Sequence, residues 1–152
     1  MLIYLAADHR GFRLKESLKQ YLKNSGYEVI DVGNEQLVEG DDYPDFAAIA
    51  ARKVSLDPVN SRAILACGSG AGMDIVANKF KNVRSVLALN SDQAASSRND
   101  DDSNVLCFAA DYMEEGEARK IAAVWISSQF SGEERHKRRL RKIEDLENRK
   151  MM

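Results

Sequence analysis

The stretch Ala63-Ile64-Leu65-Ala66-Cys67-Gly68-Ser69-Gly70-Ala71-Gly72 joins a short apolar run to a cysteine and three alternating glycines. Consecutive apolar residues without polar alternation are what a strand buried on both faces of a parallel sheet presents. Glycines at 68, 70 and 72 allow a tight turn and a close backbone approach. Met73–Lys79 then continues as a short helix. A strand that runs through a glycine loop into a helix is the building unit of an α/β sheet.

The rest of the chain repeats that unit. Leu2–Ala7 reads as a first buried strand, and Phe12, Leu14, Leu18, Tyr21 and Leu22 follow at helical spacing until Asn24-Ser25-Gly26 stops them. Tyr27–Val32 is a second strand, and Phe46, Ala47, Ile49, Ala50 and Val54 form an amphipathic helix broken by Pro58 and Asn60. Beyond the glycine loop come a strand at Ser85–Leu89, a short helix at Ser91–Arg98, a strand at Val105–Ala110 and a long helix at Glu114–Phe130. Five strands alternating with helices predict an α/β fold: a three-layer α/β/α sandwich around a parallel sheet, spanning 1–152 as one domain. From Glu133 onward the tail is charged, yet Leu140, Ile143 and Leu146 keep a narrow helical stripe, suited to lying across a partner. That pattern predicts a dimer.

Ligands in open parallel sheets sit beyond the carboxyl ends of the strands. The exits Asp8-His9-Arg10-Gly11, Cys67 to Gly72, Asn90-Ser91-Asp92 and Ala110-Asp111 are therefore expected on one edge, together with the Asp41–Asp45 loop if it packs over that edge.

Composition narrows the function classes. The chain has 152 residues, 44% apolar and 30% charged, enough for a core that needs no staples. No apolar run approaches a membrane span, and Asp8, His9 and Arg10 interrupt the opening apolar run too early for a signal peptide. The cytoplasm is the expected compartment, with Cys67 and Cys107 as free thiols. A net charge of −2 gives no general reason to expect nucleic acid as a partner.

The glycine loop leads into a helix whose first N–H groups are free, which suits it to a phosphate or an oxyanion. It lacks the Gly-Lys-Ser/Thr ending of a Walker loop and the wider last spacing of a dinucleotide fingerprint. An ordinary strand-to-helix turn is the plain alternative. Cys67 stands where the strand ends and the amides begin, so a thiolate there is stabilised and can remove a carbon-bound proton or attack an electrophile, the plain alternative being a buried apolar strand residue; Cys107, inside Val105-Leu106-Cys107-Phe108, reads as core. Asp8, His9 and Arg10 leave one strand end together: Asp8 either holds a sugar hydroxyl or caps the next helix, and His9 and Arg10 either meet an anion or face solvent. Arg135 and Arg139, one helical turn apart, suit a joint grip on phosphate, although basic runs are also ordinary solvated faces. If Arg138, Arg141 and Lys142 dominate instead, the tail is a polyanion-binding patch on a scaffold. The run Asp100-Asp101-Asp102 is open between a solvated turn, an acid–base cluster and a cation site, but it has no metal-ligand spacing.

Taken together, Ala7 through Phe12, Gly26 through Asp31, Asp42-Tyr43-Pro44-Asp45, Cys67 through Lys79, Ser103-Asn104-Val105-Leu106 and Arg135-His136 with Arg139 resemble the ribose-5-phosphate isomerase B family. That family also contains the galactose-6-phosphate isomerase subunits. The resemblance implies a Rossmann-like fold, no metal or nucleotide cofactor, and interconversion of aldose and ketose phosphates. It implies dimers, sometimes paired into tetramers, with each active site built from two subunits. Cys67 is then the base that moves a proton between C1 and C2 through an enediolate, assisted by Ser69. Amides of Gly68, Gly70, Ala71 and Gly72 stabilise the enediolate. Asp8, His9 and Tyr43 meet the substrate, and Arg135 and Arg139 hold phosphate from the partner.

Three positions depart from the family. Asp100 stands where the ring-opening histidine belongs, Asp101 where an asparagine belongs, and Asp111 where a phosphate-contacting arginine belongs. Each adds negative charge, and two unit charges at ~4 Å interact by roughly 4 kcal/mol near a protein surface. Three readings follow: Asp100 itself opens the ring; the sugar phosphate differs, with Arg10 replacing the lost cation; or the chain is a binding or regulatory homologue. The retained Cys67, Ser69 and glycine loop favour the first two.

Overall fold

A computed structural model describes residues 1–149. The elements are β1 (Leu2–Ala7), α1 (Phe12–Asn24), β2 (Glu28–Asp31), α2 (Tyr43–Leu56), β3 (Ser61–Cys67), α3 (Ala71–Ala77), β4 (Ser85–Leu87), α4 (Ser91–Asp101), β5 (Val105–Ala109), α5 (Glu115–Ser127) and α6 (Glu134–Asn148). All strand pairings are parallel, and the sheet order is β2-β1-β3-β5-β4. The α/β sandwich expected from the sequence is present.

Strand alternation builds one core on each face. Ile64 and Ala66 of β3 join Ile3, Leu5 and Ala7 of β1 beneath α1 and α5, where Leu14, Leu18, Ile121 and Trp125 are buried. Ala63, Leu65 and Cys67 point the other way, to Ala47, Ala50 and Val54 of α2 and Met73 of α3. Ala6 belongs to that second face, so Asp8, two residues on, shares the side of the sheet on which Cys67 lies.

The elements differ from the sequence reading mainly at their ends. Helix α2 begins at Tyr43 because Pro44 fits a helix's first turn, where its missing N–H costs nothing. Helix α4 runs on to Asp101, so Asp100 and Asp101 are helical and only Asp102 turns, at φ 46°. Asp102 is then claimed by Arg84 at 3.0 Å and Arg98 at 2.7 Å. Cys107 is fully buried, and burial pushes its thiol's pKa up, as a core residue's should be. Both cysteines are free. The α6 stripe lies partly against its own chain, lining a groove with Val83, Arg84 and Val86, while Leu146 stays 62% exposed. The helix is anchored there by Lys81 to Asn148 and by the Asn82 N–H to Glu147. Among the described residues no helix is long and apolar enough to cross a membrane.

The order of strands fixes where a ligand can sit. The chain leaves β1 toward β2 and leaves β3 in the opposite direction, so the crevice between those two carboxyl ends is the topological switch point. Two glycines keep it tight. A Cβ on Gly11 would run into the Ala66 carbonyl, and Gly70, at φ 73°, lies against the Phe108 and Ala109 backbone. Gly11→Ala is expected to destabilise the protein by about 3 kcal/mol, because backbone rather than a flexible side chain blocks the methyl. Urea denaturation should show the midpoint falling at unchanged slope.

Candidate active site

Cys67 ends β3 and is 4% exposed. Ala7 pairs with Ala66, and the Asp8 N–H donates to the Ala66 carbonyl at 3.3 Å, so Asp8 stands beside Cys67 across strands about 4.8 Å apart. One Asp8 oxygen accepts the Gly11 N–H at 2.9 Å, which closes the turn after β1. The sequence reading offered either a cap or a substrate contact. This bond makes Asp8 a cap at one oxygen, and the other makes no hydrogen bond among the described residues.

The glycine loop leaves Cys67 with Gly68 buried and Ser69 exposed. Gly72 receives the ring of Tyr43, whose carbons lie 2.6 to 3.0 Å from where a Cβ would be. Tyr43 therefore roofs the loop from the start of α2. Arg10 reaches Asp111 above Gly68, in a contact that holds the exits of β1 and β5 together. The Asp111 N–H also donates to the Gly68 carbonyl at 3.0 Å. The expected convergence of strand exits on one edge is thus observed, with the 41–45 loop packed over it.

Asp41 is the residue that sequence reasoning misses. Its Oδ1 accepts the His9 N–H at 2.7 Å and lies 3.0 Å from His9 Nδ1, while its Oδ2 accepts Asn34 Nδ2 at 2.9 Å. No spacing rule pairs positions 9 and 41; the loop's closing over the sheet edge does. The hydrogen bond to Asp41 holds the His9 pKa above its ordinary value, against desolvation, with Asp8 and Glu39 adding to the rise.

Four of the expected site residues lie elsewhere. Helix α4 runs back along the sheet, so Asp100 and Asp101 end at the amino edge of the strands, away from Cys67. Asp100 approaches Nε2 of the buried His136 at 3.7 Å, an ion-pair distance rather than a hydrogen bond. Arg135 and Arg139 sit on α6 beside it, both exposed. The structure therefore gathers Asp8, His9, Arg10, Tyr43, Cys67, Ser69, Gly68, Gly70, Ala71 and Gly72 at one edge, and Asp100, Asp101, Arg135 and Arg139 at the other. The Ser103-Asn104 motif has a structural task at that second edge. Buried Asn104 accepts the Arg84 N–H at 2.8 Å and donates to the Asn82 carbonyl at 2.7 Å, and Ser103 Oγ accepts the Trp125 indole N–H at 2.8 Å. Among the described residues no group of three or more His, Cys, Asp or Glu is placed to hold a metal ion.

A cysteine beside a carboxylate, under a glycine loop at the switch point of a parallel sheet, is the arrangement in which Rossmann-like folds hold small molecules. The chain belongs to the ribose/galactose isomerase family, whose pattern it matches over residues 3–143. It is 38% identical over 141 residues to the probable ribose-5-phosphate isomerase B of Mycoplasma genitalium, covering 93% of this chain and 92% of that one. It is 36% identical over 148 residues to ribose-5-phosphate isomerase B of Escherichia coli, covering 97% of each. The crystal structure of the Mycoplasma genitalium isomerase with bound ribulose-5-phosphate superimposes with a TM-score of 0.95 at 36% identity, covering 98% of this chain and 97% of that one.

The His9–Asp41 pair gives a pH-dependent expectation. A histidine whose folded pKa lies above its unfolded value of about 6.5 contributes stability that is full below that value. The contribution is lost as the pH rises through the folded pKa. In Asp41→Asn the His9 pKa should fall toward the ordinary value, read from the ring Cε1 proton by NMR. The stability gap between wild type and variant should narrow as the pH rises from about 6.5 through the folded-state pKa. A gap that widens with pH would contradict the pairing.

Proposed function

We propose that the chain is an aldose–ketose isomerase of a pentose or hexose phosphate similar to ribose 5-phosphate, moving a proton between C1 and C2 through an enediolate. The observation that carries this reading is Cys67 beside Asp8 at the β1–β3 switch point, in a chain of this family. Cys67 acts as the base, and Ser69, on the exposed rim of the loop, assists it. The amides of Gly68, Gly70, Ala71 and Gly72 stabilise charge that develops on the enediolate. Asp8 holds a sugar hydroxyl through its unoccupied oxygen. Arg10 supplies the cation that the family has at the position of Asp111. No metal or nucleotide enters this scheme.

The two edges of the sheet support a shared site. Arg135, Arg139, Asp100 and Asp101 meet Cys67 only if a second copy docks with its amino edge over the first copy's carboxyl edge. On this reading the working unit is a homodimer in the cytoplasm, and α6, seated on its own chain, presents Arg135 and Arg139 to the partner's site. A single domain over 1–152 then carries half of each site.

The direct test is solvent exchange. Wild-type protein in deuterium oxide should place deuterium at C2 of ribose 5-phosphate during turnover, followed by NMR, and Cys67→Ala should lower that rate by at least ~1000-fold. No exchange on any pentose or hexose phosphate would refute the proposal. The rival reading, a sugar-phosphate binding or regulatory homologue, is favoured by the three aspartates at 100, 101 and 111. It requires thermal stabilisation by such ligands without exchange, and indifference of that binding to Cys67→Ser. For the shared site, Arg135→Ala and Arg139→Ala should each raise KM by about tenfold with kcat little changed. Sedimentation velocity should still give a dimer, since neither side chain is buried.

A further inference from the structure

Cyclic sugar phosphates must open before a proton can leave C2, and opening requires an acid at the ring oxygen. Asp100, which takes the place of the family's ring-opening histidine, lies at the amino edge of its own sheet with its side chain 46% exposed, and reaches a Cys67 only across the docked dimer. At the carboxyl edge the protein holds a different imidazole under firm control. His9 Nδ1 is 3.0 Å from Asp41 Oδ1, so the Nδ1 proton points at the carboxylate and Nε2 is the outward nitrogen. Nε2 makes no hydrogen bond among the described residues, and the side chain is 26% exposed.

The carboxylate that steers this ring is itself built in. Asp41 accepts the His9 N–H and the Asn34 side-chain amide, and the Asn34 carbonyl accepts Nζ of Lys15 at 2.7 Å. Lys15 is 1% exposed and also grips Asp31 at 2.7 Å. A chance surface pair needs no such buried support. The charged groups facing His9 are Asp41, Asp8 and Glu39, all acidic. Their net effect, led by the hydrogen bond to Asp41, holds the His9 pKa above its ordinary value. His9 follows Asp8, which stands beside Cys67, so the imidazole and the thiol belong to the same edge of the sheet.

We propose that His9 is the acid that opens the sugar ring in this chain and that Asp41 is its positioning residue, a role that rests on the isomerase reading above. The bond between C1 and the ring oxygen breaks as His9 Nε2 gives its proton to that oxygen. The anomeric hydroxyl's proton passes to the free oxygen of Asp8, and C1–O1 becomes the aldehyde. Proton return from Asp8 to His9 through solvent resets the pair, and no oxidant or reductant is consumed. Cys67 then acts on the open chain.

Ribulose 5-phosphate separates ring opening from proton transfer, because its 5-oxygen carries the phosphate and cannot close a five-membered ring. In Asp41→Asn, exchange of a C1 hydrogen of ribulose 5-phosphate with solvent deuterium should stay within about threefold of wild type. Turnover of ribose 5-phosphate should fall by about 10- to 100-fold. With the variant in excess, that turnover should reach a plateau set by spontaneous ring opening, independent of enzyme concentration. Its alkaline limb should also move to lower pH, since the acid loses its proton sooner without Asp41. His9→Gln should show the same plateau.

Exchange and turnover falling together in Asp41→Asn would overturn the proposal, leaving the pair a loop tie. A raised KM for both sugars without a plateau would overturn it by making His9 a phosphate contact. A plateau in Asp100→Asn but not in Asp41→Asn would assign ring opening to Asp100 instead. Failure of wild type to exchange ribulose 5-phosphate would refute the isomerase reading itself.

Discussion

The candidate centre depends on the parallel pairing of β1 with β3 and on the opposite turns their exits take. Six registered pairs, from Leu2–Ser61 to Ala7–Ala66, align the two strands so that they end level with each other. Their chains then turn away from each other and leave a crevice that the 41–45 loop overhangs. Everything reactive is placed by that level ending: Asp8 beside Cys67, His9 and Arg10 one and two residues further, Gly68 and Ser69 across from them. The pairing tolerates no added bulk where Gly11 lies on the Ala66 carbonyl. A shift of one residue along β3 would turn Cys67 to the α1–α5 face and separate it from Asp8.

A second buried constraint acts behind the first. Lys15, on α1, is surrounded by Asp31, Glu16 and the Asn34 carbonyl, with the Phe12 ring 4.9 Å below the ammonium. Burial alone would raise the pKa of Asp31, but hydrogen bonds from Lys15, Lys19 and the Gly33 N–H outweigh it and hold the carboxyl below its ordinary value. A lysine so enclosed is stable only when paired. Here the pairing ties the end of β2 to the loop that carries Asp41. The geometry at His9 is thus set by residues that never reach the cleft.

What was legible in the sequence follows from periodicity. Buried strands read as apolar runs, and the glycine loop read as a turn into a helix, because both signals are local. The α/β sandwich and the identity of the carboxyl-edge residues came from those signals together with the rule that ligands sit beyond strand ends. Less legible were features that depend on direction or on long-range closure. The helix read from the sequence stops at Arg98 and leaves Asp100–Asp102 open between a turn, an acid–base cluster and a cation site, yet α4 extends through Asp101. It can do so because Asp102 takes the left-handed C-cap and is neutralised by Arg84 and Arg98. Asp41 carried no signal, since its partner is 32 residues away. Arg135 and Arg139 were recognised by type and spacing, but only the antiparallel run of α4 and the seat of α6 reveal that they lie at the far edge.

The pairing of Arg10 with Asp111 bears on how a site with added negative charge can still hold a phosphate. Arg10 is 59% exposed and Asp111 is 29% exposed, so their attraction is that of a surface pair, typically 1 kcal/mol or less. Only one guanidinium nitrogen, Nη2, is engaged by the carboxylate. A guanidinium carries five N–H donors in a fixed plane, and a single contact leaves most of them for a second acceptor. Asp111 therefore orients the cation over Gly68 and also offsets part of its charge. On the isomerase reading the remaining donors are what a phosphate would dock on, while the Asp111 carboxylate, as near Gly68 as the guanidinium is, limits the attraction.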